Sequence, residues 1–309
     1  RNLMDAHGKT RLTMFITVTV VPINIVLNYI FMYGAFGIAP FGGAGAGLGA
    51  ALSYTVFLLL TIIVVLRMEQ FKRYHVFSGF PRPVISDWRA QLKICIPIGM
   101  TVFCEQSIFG AVGLLMAAYG TTVLAAHQAA MNFTTIVYML PLSVSMAITI
   151  LVGYEVGAGR ENGARAYIRL SRVLTLAFVG IIALALAAMR DHVAALYSTN
   201  PEVQELLRVF LLYALVMQFC DCVNAPLQGA LRGYKDVTVT FWLAVLSFWG
   251  IGLPAGYLLA QMTELGPYGY WAGLNGGIIF GAVCLMIRLR VIENRMRREN
   301  ERNAAISEV

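Results

Sequence analysis

Eight apolar runs, each long enough to cross a bilayer, constrain this chain more than any other feature. A helix spanning the hydrocarbon core needs about 20 mostly apolar residues. Candidate spans lie at Leu12–Gly34, Gly43–Leu66, Leu92–Tyr119, Leu124–Val152, Arg172–Met189, Glu205–Gly229, Thr238–Gln261 and Tyr268–Ile287. Only 13% of the 309 residues are charged and 59% are hydrophobic, against about 25% charged in a soluble domain. The expected class is therefore all-α and integral to the membrane, with the lipid bilayer as its first partner.

The cations test the helix count. Arg1, Lys9 and Arg11 precede the first span. Arg67, Lys72, Arg73, Arg82, Arg89 and Lys93 follow the second. Arg160, Arg165, Arg169 and Arg172 follow the fourth, Arg232 and Lys235 the sixth, and six arginines between Arg288 and Arg302 the eighth. The alternate loops "AFGIAPFGG", "YGTT" and "TELGPY" hold none, and only Arg190 and Arg208 lie on that side. By the positive-inside rule both ends are expected in the cytoplasm. Topology thus accounts for the net charge of +7, and nucleic acid is not an expected partner.

Residue 1 is Arg, and "RNLMDAHGKTR" reads as a polar loop. The natural protein is expected to extend upstream. A weak repeat agrees: "FGGAGAGLGAALSYTVFLLL" opens span two and "GPYGYWAGLNGGIIFGAVCL" leads into span eight, six helices later in the same direction. A six-helix unit repeated in parallel gives this pattern. On that reading residues 1–68 are the last two helices of one lobe and 69–91 a basic connector. Residues 92–290 form a complete six-helix lobe, and 291–309 a basic tail.

Ionisable groups at bilayer depth cost about 2.5–3.5 kcal/mol on insertion scales and mark pathways or sites. Two carboxylates sit deep. Glu105 lies 12 residues past Lys93, about 18 Å in, and Asp221 lies 11 residues before Arg232, about 16 Å in. Matched depth lets them share one cavity, if spans three and six come together. Gln218, Asp221, Asn224 and Gln228 share one helix face. Pro97 and Pro226 each remove a backbone donor, so irregular backbone is expected beside both carboxylates. Asn24 and Asn28, at i and i+4, are about 20 and 26 Å in from Arg11. They read either as interhelical amide bonds or as a second polar pocket. His127 reads as a packing residue or, less readily, a proton relay; Gln128 is a neutral candidate for the cavity wall.

Five cysteines lie in apolar runs, and "FCDCV" reads as buried thiols rather than a metal motif. There is no Gly-x-Ser-x-Gly, P-loop, HExxH or CxxC. No enzyme activity and no cofactor are expected, and if the chain belongs to a pump, an ion gradient rather than ATP drives it.

The chain resembles the multidrug and toxic compound extrusion (MATE) transporters, most like their NorM-type branch. The stretches that carry the likeness are "PINIVLNYIFMYG", "IPIGMTVFCEQSIFG", "LAAHQAAMNFTTIVYMLPLSVSMAITILVG", "FCDCVNAPLQGALRGYKDV" and "GPYGYWAGLNGG". They run in family order through nearly the whole chain. The resemblance implies the C-terminal two-thirds of a two-lobe, six-plus-six pseudosymmetric transporter whose first four helices lie outside this sequence. It implies antiport of Na⁺ or H⁺ against organic, often cationic, drugs, by rocking of the lobes in the bacterial inner membrane, by a monomer. It assigns ion coupling to Glu105 and Asp221, a supporting role to Gln218, and the other lobe's polar pocket to Asn24 and Asn28. Gln128, Asn224 and Gln228 are its cavity-lining candidates. Met217 departs from relatives that carry a Tyr there. The alternatives are a flippase for lipid-linked sugars, which would want cations in its cavity, and a non-transporting scaffold.

Overall fold

The computed structural model describes residues 4–5, 10–34, 40–69 and 84–307, with side chains through 298. Eight long helices account for nearly all of them: α1 Thr10–Tyr33, α2 Gly43–Arg67, α3 Ile85–Ala117, α4 Thr121–Gly157, α5 Glu161–Tyr197, α6 Pro201–Gly233, α7 Val237–Met262 and α8 Tyr268–Ser307. All eight are long and apolar enough to cross a membrane. Several outrun the apolar runs that announce them. Helix α3 begins two turns before Leu92, α5 extends well beyond Arg172–Met189 on both sides, and α8 continues through the basic tail. Hydropathy marks where a helix meets lipid; helix-forming polar residues carry it on into water. Most of the expected connector, residues 70–83, lies outside the described residues.

The chain divides into two compact units, Arg1–Val84 and Ile85–Val309. In the first, α1 packs on α2. Gly45 sits against the backbone of Phe31 and Gly49 against Asn28, so any side chain there would strike α1. In the second unit α6 is central, packed on α4, α5 and α8. Its start is well specified: Asn200 caps it, Oδ1 accepting from the Glu202 amide at 3.0 Å, and Pro201 opens the first turn.

Two apolar clusters stabilise the second unit. One joins Ile108, Met116, Phe210, Leu211, Trp271 and Leu274. The other joins Ile148, Val152, Ile168, Leu227, Leu231 and Leu289. Along α6 the polar stretch from Gln218 to Asn224 falls between them. Many large apolar side chains face outward, Phe15, Tyr54, Leu114, Leu184 and Trp242 among them. In lipid that exposure carries no hydrophobic penalty, and helix association relies on close packing instead.

Helix α7 is irregular. Leu246–Gly252 is a π-helical turn just ahead of Pro254, which has no N–H for the carbonyl four residues back. Gly250 and Gly252 add conformational freedom. By contrast α3 and α6 run as unbroken α-helix through Pro97 and Pro226. The irregular backbone expected at those prolines is in α7 instead, where Gly and Pro are clustered.

Helices α7 and α8 meet through bare backbone. Gly252 and Gly256 face Gly273 and Gly277, and Gly269 faces the backbone of Leu259 and Ala260. A side-chain carbon on Gly273 would collide with the main chain of Gly256. The α6–α7 turn is fastened to α8 by Arg288, which donates to both oxygens of Asp236 at 2.7 and 3.2 Å.

Candidate functional site

In the second unit α3, α4, α6 and α7 line a partly open cavity of about 250 Å³. Helix α3 packs on α4 and α7, which places its Glu105 opposite α6. Glu105 and Asp221 both line this cavity, with Gln218, Asn224 and Gln228 beside them on the α6 face. The spacing of 3, 3 and 4 residues therefore projects one polar stripe into one space.

The two carboxylates differ in their partners. Gln228 Nε2 donates to Glu105 Oε1 at 2.6 Å, and Arg232 donates to Gln228 Oε1 at 3.2 Å. A second brace reaches α3 from the π-turn of α7: the Trp249 indole donates to the carbonyl of Cys104 at 3.3 Å. Asp221 takes no hydrogen bond from any described residue. Its neighbours on the stripe are also under-used. Gln218 is 1% exposed and spends its amide nitrogen on the Thr134 carbonyl at 2.6 Å, leaving Oε1 without a donor; Asn224 Oδ1 is likewise buried and unpartnered. A buried acceptor without a donor costs about 1–3 kcal/mol. Asp221 thus has, three residues before and after it on the same helix face, two residues whose amide oxygens are buried and unsatisfied, a stretch of α6 rich in acceptors without donors.

The wall beside α6 comes from α4. Met131, Thr134, Thr135, Tyr138 and Leu142 line it, and Tyr138 lies within electrostatic reach of both carboxylates. Their helical spacing was present in "MNFTTIVYMLPL", but a search for charges at depth passes over neutral residues. Phe109 and Phe248 complete an apolar side, with Met217 at the lining.

Three other candidates are placed apart. Gln128 does not line the cavity. It lies on the stripe of Met131 and Thr135 but about a turn beyond the lining, exposed and close to Gly113. His127 is 1% exposed among Phe210 and Trp271, and the Trp271 indole donates to its Nδ1 at 3.1 Å, the arrangement of a packing residue. Cys220 and Cys222 are free buried thiols.

In the first unit Asn28 donates to Asn24 at 2.9 Å, Asn24 to Ser53 at 3.0 Å, and Ser53 to the Gly49 carbonyl at 2.7 Å. These amides join α1 to α2. Asn24→Ala is expected to lower stability by about 1 kcal/mol, read from thermal unfolding in detergent. An unchanged midpoint would show that this chain of bonds holds nothing together.

Comparisons with known proteins follow the same outline. Residues 97–258 match the MatE family model. A probable multidrug resistance protein NorM from Oceanobacillus iheyensis is 49% identical over 296 residues, covering 96% of this chain and 66% of that protein. Another from Bacillus cereus is 44% identical over 303 residues, covering 98% and 67%. The chain therefore spans about two thirds of the length of these relatives. Among solved structures, the eukaryotic MATE transporter AtDTX14 superposes with a TM-score of 0.85 at 19% identity, over 97% of this chain and 66% of that one.

Proposed function

Because the chain belongs to the MatE family, we propose that it works as part of a secondary antiporter that exports organic cations in exchange for Na⁺ or H⁺ across the bacterial inner membrane. The observation that carries this reading is the meeting of Glu105 and Asp221 in one cavity beside unpartnered amide oxygens.

The chemistry follows from burial. A bare carboxylate in a low-dielectric space is poorly solvated. A proton or a dehydrated cation relieves that penalty, and so does the cationic end of a drug. One pair of carboxylates cannot be fully satisfied by both at once, so each occupant weakens the other, and that antagonism is the basis of exchange. Phe109, Phe248, Met131 and Met217 offer the drug's apolar body an adaptable surface. Rocking of two lobes supplies alternating access, with α1 and α2 assigned to one lobe and α3–α8 to the other. The cation distribution supports a topology with both ends of the chain in the cytoplasm, and the unit proposed to work is a monomer. A flippase for anionic lipid-linked sugars fits less well, because the charged residues that line the cavity are the carboxylates Glu105 and Asp221.

The test is competition. The protein in lipid nanodiscs is loaded with a fluorescent lipophilic cation, then titrated with Na⁺ at fixed pH and with protons at fixed Na⁺. Displacement by one of the two is expected and names the coupling ion. A probe that neither displaces, or that does not bind, defeats the exchange reading.

A further inference from the structure

We infer that Gln228, backed by Arg232, is a positioning residue that sets how tightly Glu105 holds the coupling ion. This rests on the exchange reading above and adds to it a release device.

The geometry has only one chemical sense. Arg232 carries donors and no acceptor, so the Gln228 oxygen must face it and the amide NH₂ must face Glu105. Both contacts are present, at 3.2 and 2.6 Å. Gln228 is 7% exposed, with one side in the main cavity and the other in a small space of about 10 Å³ under α7. Packing therefore limits its rotamers. The guanidinium polarises the amide, and the amide passes part of that positive character on to the carboxylate across the cavity. Arg232 itself is not among the residues lining the cavity.

An N–H on Glu105 competes with the ion for the same oxygens. When the cavity is empty, Gln228 satisfies Glu105. When Na⁺ or a proton arrives, it must share that carboxylate with a donor already in place. A coupling site has to let go as well as bind, and a built-in rival for one of its two carboxylates does that without lowering the charge of the site. Asp221, which lacks such a rival among the described residues, is then the stronger anchor and Glu105 the adjustable one. The other charged or titratable groups facing Glu105 are Asp221 on α6, Tyr138 on α4 and its own neighbour Cys104 on α3. From α7 come only Phe248 and the Trp249 indole.

The experiment repeats the ion titration against bound fluorescent cation on three variants. Gln228→Met keeps the length of the side chain and removes the amide; the ion concentration that displaces half the probe is expected to fall about tenfold. Arg232→Gln keeps a donor and removes the charge; a fall of about threefold is expected. In the double variant, Arg232→Gln is expected to add clearly less than it does alone, because part of its effect travels through the amide and only the direct attraction between Arg232 and Glu105 remains. An unchanged or raised half-displacing concentration in Gln228→Met overturns the inference, as do effects of the two changes that simply multiply. Should Gln228→Met fail to insert, an unchanged value in Arg232→Gln overturns it alone. These outcomes leave the exchange reading standing, because the wild type is still displaced. A wild type that no ion displaces overturns both.

Discussion

Asp221→Asn is expected to make the bound organic cation nearly indifferent to the coupling ion. The change keeps the shape of the side chain and deletes one charge. Asp221 takes no hydrogen bond from a described residue, and its neighbours on the α6 face, Gln218 and Asn224, each keep a buried, unpartnered amide oxygen. The ion loses one of its two carboxylate partners, and truncating one partner of a desolvated charge pair costs about 2–5 kcal/mol of binding, the middle of which is more than a hundredfold in affinity. The half-displacing Na⁺ concentration should therefore rise by at least about a hundredfold if Na⁺ is the coupling ion. If protons are, displacement on acidification should vanish. Glu105 remains in this variant but is already engaged by Gln228, so it should rescue only a small part. A correctly inserted Asp221→Asn protein with wild-type Na⁺ and pH profiles would remove Asp221 from the site.

The second large effect concerns stability. Gly273→Ala places a carbon against the main chain of Gly256. The neighbour is backbone, so no rotamer change makes room, and α7 and α8 must separate along their length. Overpacking of this kind costs about 1–3 kcal/mol, and here the upper value is expected because the collision is with a second helix. Gly276 is the internal control. It lies on the same helix with nothing within 4 Å of an added carbon, and Ala is the better helix former by about 1 kcal/mol. Gly276→Ala should leave the unfolding midpoint in detergent unchanged or slightly raised, while Gly273→Ala lowers it. Equal midpoints for the two variants would show that the glycine row is not a packing face.

The contrast between these glycines shows what the sequence could and could not reveal. "GYWAGLNGG" announces close packing, but which glycine is critical depends on where α7 lies. Counting from Lys93 and from Arg232 put Glu105 and Asp221 at similar expected depths, because helical rise is fixed, and both line one cavity. Their meeting was not legible, since α3 and α6 face each other only across the cavity. The link from Glu105 to Gln228 joins residues 123 positions apart. Helix ends were misjudged for a related reason: hydropathy reports lipid contact, while α5 and α8 continue as polar helix beyond it. The prolines misled in the other direction. Pro97 and Pro226 are accommodated within continuous helices, and the π-turn formed where Gly250, Gly252 and Pro254 cluster.

The bare contact between α7 and α8 also bears on how the protein is made. An interface of main chain against main chain has few side-chain rotamers to sort when it forms, and only residues 263–267 separate the two helices. The pair is suited to enter the bilayer as one preassembled hairpin, already zipped when it leaves the insertion machinery.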